Sequence, residues 1–301
     1  MPELPDLVVY LDALQVHVAG RTLEDLELLS PFVLRTVEPA VTAVRGRPVV
    51  GVRRLGKRIV LEFPDDLFLA IHLMIAGRLR WRADADPAGA GRKAPPKVPA
   101  KLTLARFRFP NGTLHLTEAG TKKRAAIHIL RGEPGLRALD RGGVEPLDAS
   151  FAEFRDALTR ENHSVKRALS SPNVISGIGN AYSDEILHAA KLSPVKLTSS
   201  MTEDEHRRLF EAVQATLRLW IERLRADAAE GFPEKVTAFR EDMAVHGRFG
   251  KPCPVCGTRV QRIVHADNEC NYCPTCQTEG RLLADRALSR LLRKDWPKRL
   301  D

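Results

Sequence analysis

The chain has 301 residues, 44% of them hydrophobic, which excludes a wholly disordered protein and suffices for two domains with separate cores. No apolar run reaches the ~18 residues that a membrane span requires, and the N-terminus lacks the hydrophobic core of a signal peptide. We therefore expect an intracellular protein. The formal net charge of +9 favours a polyanionic partner such as a nucleic acid, although a membrane surface or an unpatterned basic face would also fit it.

The first half of the chain is predicted to be one helix followed by antiparallel strands. Apolar residues at helical spacing from Leu7 to Val18 define the helix. Short alternating apolar runs then predict strands from about 22 to 130, with Asn111-Gly112 as a hairpin turn. The stretch 83–101 is rich in Ala, Gly, Pro and Lys, cannot contribute to a core, and is interpreted as a flexible loop.

The second half is predicted to be helical, so that a β-rich domain at 1–140 precedes a helical domain at 141–247. Gly177 and Gly179 lie just before a helix predicted to begin near Asn180. The missing Cβ atoms and the helix N-terminus leave backbone amides open to an anion such as a phosphate. A plain glycine-containing turn between two helices explains the same spacing.

All five cysteines lie near the C-terminus, in a pattern typical of a metal site rather than of a disulfide scaffold. Two CxxC pairs, each expected at the tip of a tight hairpin, can supply four thiolates to a closed tetrahedral zinc site. These ligands are Cys253, Cys256, Cys273 and Cys276. A closed site leaves no open coordination position, so we predict one structural Zn2+ per chain in a finger at 248–278. Cys270 is interpreted as a free thiol at the loop tip, and 279–301 as a basic tail.

The chain begins Met1-Pro2-Glu3-Leu4-Pro5-Asp6. If Met1 is removed, the Pro2 nitrogen becomes a secondary amine. A terminal amine has an ordinary pKa roughly near 8, so an appreciable fraction is neutral and nucleophilic at neutral pH. Such an amine is suited to Schiff-base formation, and the Glu3 carboxylate is placed to transfer protons. Taken alone, these residues are better explained by a stiff, frayed chain start.

The Met-Pro-Glu-Leu-Pro start, the β-rich half, the glycine junction at 173–187 and the four-cysteine finger occur together in this order. In this combination the chain resembles the formamidopyrimidine-DNA glycosylase and endonuclease VIII family over roughly residues 1–277. The resemblance implies an α+β fold: an N-terminal β-sandwich with a leading helix, then a helical domain with a helix-two-turn-helix motif and the zinc finger. It also implies a monomeric, cytoplasmic or nucleoid-associated base-excision repair enzyme that binds damaged DNA and needs no small-molecule cofactor.

The resemblance assigns catalytic roles to three residues. Pro2 would attack the deoxyribose C1′ of a damaged nucleotide, and Glu3 would assist ring opening and proton transfer. Lys57 would contact the phosphate beside the lesion and help to stabilise the charged intermediate. The resulting Schiff base would lead to strand cleavage by elimination, so that the implied enzyme is both a glycosylase and an AP lyase.

Seven further residues are predicted to contact DNA. By resemblance, Asn180 would hold the phosphates flanking the extruded nucleotide, and Met74 would fill the gap that it leaves. A methionine in an apolar strand is otherwise a core residue. Basic side chains in the finger and in the segment after Thr117 are candidates for phosphate contact, although a charge run also suits a solvated face. These basic candidates are Lys122, Lys123, Arg124, Arg259 and Arg262.

The sequence also departs from the family. The segment after Thr117 lacks the usual Arg-Arg-Phe, Asn268 stands where an arginine is usual, and Asp6 replaces a glutamate. The segment 226–247 is short where formamidopyrimidine enzymes carry a loop over 8-oxoguanine. These differences argue against assigning that substrate here. Two other functions stay open: a non-catalytic damaged-DNA-binding protein of the same fold, and a zinc-ribbon protein of RNA metabolism.

Overall fold

A computed structural model describes residues 1–84, 98–228, 231–234, 236–237, 239–265, 268–283, 290 and 299. The chain forms two compact units. The first unit is Met1–Asp140 with Ile221–Val236, and the second is Arg141–Trp220 with Thr237–Asp301. Most of the predicted loop at 83–101 and of the predicted tail at 279–301 lies outside the described residues.

The predicted N-terminal helix is confirmed as α1, Leu4–His17. Its start is fixed by the Asp6 carboxylate, which accepts a hydrogen bond from the backbone N–H of Glu3 at 2.9 Å. Pro5 fits the first turn because no backbone N–H is needed there. Leu7, Tyr10 and Leu14 are fully buried on the face that packs into the core of the first unit.

Two four-stranded antiparallel sheets form most of the first unit, in the strand orders β10-β6-β5-β4 and β2-β8-β9-β7. Two short strands, β1 and β3, pair separately. Inward side chains of both sheets and of α1 share one hydrophobic core. The bounds in chain order are β1 Thr22–Leu23, β2 Asp25–Leu28, β3 Arg47–Pro48, β4 Gly51–Leu55, β5 Arg58–Phe63, β6 Leu67–His72, β7 Gly77–Ala83, β8 Thr103–Phe109, β9 Gly112–Glu118 and β10 Ala126–Arg131, followed by the helix α2 Gly132–Arg137.

The predicted hairpin between β8 and β9 is present, but its turn is shifted by one residue. Phe109 pairs with Gly112, so the two turn residues are Pro110 and Asn111. Gly112 instead opens β9, with φ at +152°, and a Cβ there would lie 2.4 Å from the carbonyl oxygen of Arg82 on the neighbouring strand. The glycine is therefore required by close strand packing.

The second unit is helical and carries the cysteine finger. The helices are α3 Phe151–Thr159, α4 Val165–Ser170, α5 Asn180–Ala189, α6 Glu203–Ala228 and α7 Pro274–Thr278, and the finger hairpin is β11 Gln261–Val264 with β12 Glu269–Tyr272. The end of α6 from Ile221 onward belongs to the first unit. The α+β class predicted from the sequence is confirmed. Among the helices that the structure describes, none is long and apolar enough to cross a membrane.

Two details of the predicted finger are wrong. Cys270 does not lie at a loop tip: it is in β12 and only 2% exposed, because Ile263, Tyr272 and Leu283 pack around it as a small core. The second CxxC pair is not at a hairpin tip either, since Cys273 is the residue that caps α7 and Cys276 lies within that helix.

Candidate active site, metal cluster and nucleic-acid interface

The start of the chain is not frayed. Pro2 is buried, and Glu3 is only 3% exposed. Burial lowers the pKa of the amine on Met1 below its ordinary value, and the charges of Arg78 and Lys57 lower it further, while Glu3 and Asp6 oppose them. An amine in this environment is neutral over a wider pH range, which favours nucleophilic attack.

Lys57 lies in the turn between β4 and β5 and is half-buried. Its charge acts on the chain-terminal amine and on the imidazole of His72 at the end of β6. The structure therefore places Lys57 near enough to the chain terminus for its charge to act on the terminal amine. Arg78 is a further cation beside this terminus that sequence reasoning missed. No sequence feature pointed to it, because the chain-terminal amine on which its charge acts is distant in sequence.

The turn between β6 and β7 carries Met74, which lies in a turn and not in a strand. Its φ is +52°, an uncommon conformation for a residue with a side chain. Its backbone N–H donates to Nδ1 of His72 at 3.1 Å. Met74 is half-buried, whereas the side chain of Ile75 beside it is 61% exposed. Ile75 is thus the more accessible apolar side chain of this turn, and sequence reasoning missed it.

The segment between β9 and β10 has a defined conformation. The Glu118 carboxylate is 2% exposed and accepts hydrogen bonds from the backbone N–H groups of Arg124 at 2.9 Å and of Ala125 at 3.1 Å. The Lys123 ammonium donates to the Glu118 carbonyl oxygen. Lys122, Lys123 and Arg124 are all exposed. Glu118 therefore holds a short cationic loop in one shape.

Asn180 is the first residue of α5, directly after the predicted glycine junction. Gly177 adopts φ at +79°, which favours glycine at that position. The Asn180 side-chain amide donates to the carbonyl oxygen of Glu269 in β12 at 2.9 Å, and the Asn180 carbonyl oxygen accepts from Nζ of Lys166 at 2.7 Å. The helix start is therefore tied directly to the finger hairpin.

A buried acid behind Asn180 organises this part of the second unit. Asp184 is 1% exposed, and its carboxylate pairs with Lys166 Nζ at 2.5 Å and with His246 Nδ1 at 2.7 Å. It also accepts the backbone N–H of Asn271 at 3.2 Å. Its neighbour Glu185 accepts three backbone N–H groups from residues 244–246. Sequence reasoning missed this network, whose only sign was a pair of adjacent acids in an otherwise apolar stretch.

The four predicted cysteine ligands form one cluster. Their sulfur atoms all lie within 4.8 Å of one another, with 3.9 Å between Cys253 and Cys276 and 3.4 Å between Cys256 and Cys273. Metal–sulfur bonds of about 2.3 Å in a tetrahedron place the sulfurs roughly 3.8 Å apart, so this cluster fits a single metal ion. Nε2 of His188, at the end of α5, lies 3.3 Å from the Cys253 sulfur and joins the helix to the cluster.

The two finger arginines differ in their surroundings. Arg259 is exposed beside the cluster. Arg262 on β11 pairs with Glu269 across the hairpin at 3.0 Å and stacks over the Phe249 ring at 4.3 Å from its centre. Asn268, where the family usually has an arginine, is exposed. The finger therefore presents cationic side chains although that arginine is absent.

Three family models match this chain. The formamidopyrimidine-DNA glycosylase N-terminal domain matches residues 1–123, the H2TH domain of the same enzymes matches 143–228, and the zinc finger found in FPG and IleRS matches 250–278. The fold and the cysteine cluster thus define a protein built like a DNA glycosylase with a helix-two-turn-helix domain and a metal-binding finger.

Individual proteins and solved structures of the same family are similar to most of this chain. The formamidopyrimidine-DNA glycosylase of Pelotomaculum thermopropionicum is 31% identical over 285 residues, which cover 92% of this chain and 99% of that protein. The structure of the MutM (Fpg) protein of Thermus thermophilus is 29% identical, with a TM-score of 0.74 over 92% of this chain and 98% of its own. The Lactococcus lactis Fpg in complex with DNA containing an abasic site shares the fold, with 24% identity and a TM-score of 0.76 over 92% of this chain and 99% of its own. The chain belongs to the formamidopyrimidine-DNA glycosylase family.

Proposed function

We propose that this protein is a base-excision repair glycosylase with AP lyase activity that uses the Pro2 amine as its nucleophile. The observation that carries the proposal is the environment of the buried chain terminus. Glu3, Lys57 and Arg78 lie close enough to the chain-terminal amine for their charges to act on it. Family membership supports the same reaction. Removal of Met1 is a condition of the proposal, because only then is the Pro2 nitrogen an amine.

The proposed reaction begins with attack of the Pro2 nitrogen lone pair on C1′ of the damaged nucleotide. The bond from C1′ to the base breaks, and the base leaves with the electron pair and takes up the proton that the Pro2 nitrogen loses, so that this nitrogen again carries a lone pair. Opening of the sugar ring moves the C1′–O4′ bonding pair onto O4′, which Glu3 protonates, and leaves an iminium between C1′ and Pro2. Loss of a C2′ proton then expels the 3′ phosphate, and a second elimination expels the 5′ phosphate.

The proposed DNA contacts come from both units. Lys57 and the loop of Lys122, Lys123 and Arg124 contact backbone phosphates from the first unit. Asn180, Arg259 and Arg262 do so from the second unit. The turn between β6 and β7 enters the gap left by the extruded nucleotide, with Met74 and Ile75 at its tip. These contacts combine phosphate neutralisation, which gives most of the affinity, with an apolar wedge that stabilises the extruded state.

We also propose that the metal is Zn2+, held by Cys253, Cys256, Cys273 and Cys276 in a structural role. Four thiolates complete a tetrahedral site and leave no position for substrate. The metal would replace a hydrophobic core that the short finger lacks. Elemental analysis of the purified protein should give one zinc per chain, and substitution of any one of the four cysteines should abolish the stoichiometric zinc.

The test of the catalytic proposal is borohydride trapping on duplex DNA that carries an abasic site or one of a panel of damaged bases. An abasic site is the first substrate to use, since the Lactococcus lactis Fpg of the same fold binds such DNA. The unsubstituted protein should form a covalent adduct, and Pro2→Gly should lose it. Pro5→Ala, a substitution at the other proline of the same segment, should retain it. Intact mass establishes whether Met1 has been removed.

Two outcomes would contradict the catalytic proposal. If protein that lacks Met1 traps none of these DNAs but binds them, the non-catalytic damaged-DNA-binding function is correct instead. If Pro2→Gly traps as well as the unsubstituted protein and the adduct does not lie on the amine of residue 2, another residue is the nucleophile.

A further inference from the structure

Arg78, the second residue of β7, makes an unusual set of contacts for a strand residue. Its Nε donates to the carbonyl oxygen of Val236 at 2.6 Å. One terminal nitrogen donates to the carbonyl oxygens of Gly77 at 2.6 Å and of Ile75 at 3.1 Å. One guanidinium thus joins the tip of the β6–β7 turn to the segment at 231–236, within the first unit.

These contacts complete the turn. Its inner hydrogen bonds run from the Gly77 N–H to the Leu73 carbonyl at 2.9 Å and from the Met74 N–H to His72. Gly77 cannot carry a Cβ, because that atom would lie 2.1 Å from the Leu73 oxygen. The carbonyl of Ile75 points away from these inner bonds and to Arg78. A planar guanidinium can donate in several fixed directions at once, whereas a lysine ammonium cannot reproduce this arrangement.

Arg78 also lies beside the chain terminus. Burial lowers the pKa of the amine on Met1 most, Glu3 opposes this, and Arg78 lowers it further. Asp6 raises this pKa and Lys57 lowers it. The charges of two acids at the start of α1 and of two cations on other elements therefore act on the amine. A guanidinium stays charged at every pH at which the protein is folded, so its effect on the amine is constant.

We propose that Arg78 is a positioning residue: its guanidinium ties the turn that carries Met74 and Ile75 to Val236, and it places a positive charge beside the chain terminus. The inference rests on the proposed function, since it assigns Arg78 a part in the same reaction. One side chain therefore orders the turn that carries the proposed wedge and lies beside the terminus where removal of Met1 would give the Pro2 amine.

Two substitutions separate these effects in single-turnover borohydride trapping on abasic-site DNA between pH 5.5 and 8.5. Arg78→Lys keeps the charge and loses the planar set of guanidinium donors. The trapping rate should therefore fall severalfold at every pH, while the midpoint of the pH–rate profile stays unchanged. Arg78→Gln also loses the charge, so the amine pKa rises and the acid limb of the profile moves to higher pH. On the acid limb the rate of Arg78→Gln should therefore fall below that of Arg78→Lys. Arg80→Gln, two residues along the same strand, should leave the midpoint unchanged.

A second measurement does not depend on catalysis. The pH dependence of N-terminal labelling by an amine reagent should show the same upward shift for Arg78→Gln and none for Arg78→Lys or Arg80→Gln. If the unsubstituted protein traps no DNA, the proposed function fails, while labelling still tests Arg78. An unshifted labelling profile for Arg78→Gln, or trapping by Arg78→Lys at the unsubstituted rate, would overturn the proposal.

Discussion

The acids at the start of α1 are the residues whose placement most constrains the chemistry. Glu3 and Asp6 are 3% and 2% exposed, and a buried carboxylate is unfavourable unless charges or donors compensate it. Asp6 accepts the Glu3 N–H, and both acids oppose the lowering of the pKa of the nearby amine. Asp6 therefore has a structural part, the start of the helix, that its shorter side chain can fulfil as well as a glutamate could.

We predict that Ile75 rather than Met74 is the main apolar side chain that enters the gap left by the extruded nucleotide. Ile75 is 61% exposed in the free protein, and insertion between bases would bury most of its apolar surface, worth about 1–2 kcal/mol. Ile75→Ala should therefore weaken binding to abasic-site DNA about 5- to 30-fold, and Met74→Ala should weaken it less. Fluorescence anisotropy at fixed salt measures both constants.

Val50→Ala is the control for this comparison, because Val50 is 62% exposed in the same unit and outside the turn. Equal affinities of Ile75→Ala and Val50→Ala would show that Ile75 is not the wedge. A larger loss for Met74→Ala would assign that part to Met74, as the resemblance implies.

Single residues also show the limits of sequence reasoning. Pro2, Glu3 and the cysteines could be proposed from the sequence because their chemistry or their spacing is visible in the chain itself. Arg78, Ile75 and His188 were not proposed, because their importance arises from neighbours that are distant in sequence. His188 lies 65 positions before its cysteine partner, and no periodicity encodes that contact.

Among the elements, the β6–β7 turn combines a strained residue with a titratable one. His72 is largely buried, and this burial, together with the charges of Arg58, Lys57 and His128, lowers its pKa to about 4. Its Nδ1 must stay unprotonated to accept the Met74 N–H. The turn that presents the proposed wedge therefore depends on a neutral imidazole.

This dependence predicts a loss of stability at acid pH. Because the pKa of His72 is lower in the folded state than the unfolded value of about 6.5, only the unfolded state gains a proton as the pH falls from 6.5 towards 4. Above pH 6.5 His72 therefore makes its full contribution to the free energy of unfolding. About 2–3 kcal/mol of this contribution is lost between pH 7 and 4.5. Native-state hydrogen exchange of the β5 and β6 amides measures the free energy of opening at each pH.

His72→Asn provides the comparison, since an amide oxygen can accept the Met74 N–H without titrating. Between pH 7 and 4.5 the free energy of unfolding of the variant should fall by about 2–3 kcal/mol less than that of the unsubstituted protein. The exposed His265, substituted by Asn, is the control and should keep the original slope. Parallel pH profiles for the His72 variant and the unsubstituted protein would contradict the assignment.

The element boundaries were predictable where one physical cue dominates. Helical spacing located α1, because its apolar residues recur on the face that packs into the core. The division of 22–130 into strands was harder to predict: the segment 48–63 alone contains parts of three strands, with a turn at Gly56. The β8–β9 turn was misplaced by one residue because Gly112 serves strand packing rather than the turn.

At the scale of the whole molecule, the two units have separate cores. The sandwich core includes residues of α1 and of both four-stranded sheets, whereas the finger relies on small clusters around Cys253, Cys273 and Cys270. The antiparallel strands could be predicted from the sequence pattern alone, whereas the sandwich was implied by the family resemblance. The return of Ile221–Val236 to the first unit could not be predicted, because the helical periodicity of α6 continues without a break across that division.

We predict that metal removal unfolds the finger and leaves the sandwich intact. Without metal the four thiols lose their common ligand, and clusters of this size cannot compensate for the ordering of about thirty residues. After chelation, the amides of β11 and β12 should exchange at the rate of an unfolded chain, while those of β5 to β9 keep their protection. Cys256→Ser should give the same pattern without a chelator. Protection of the hairpin in metal-free protein would contradict this account.

The central claim is that the chain acts through a covalent bond between Pro2 and the sugar of a damaged nucleotide. The most direct test is to reduce the complex with abasic-site DNA, digest the protein, and locate the sugar adduct by mass spectrometry. The account predicts an N-terminal peptide that lacks Met1 and carries the adduct on Pro2. An adduct on a lysine such as Lys57, or its absence from protein that has lost Met1, would contradict it.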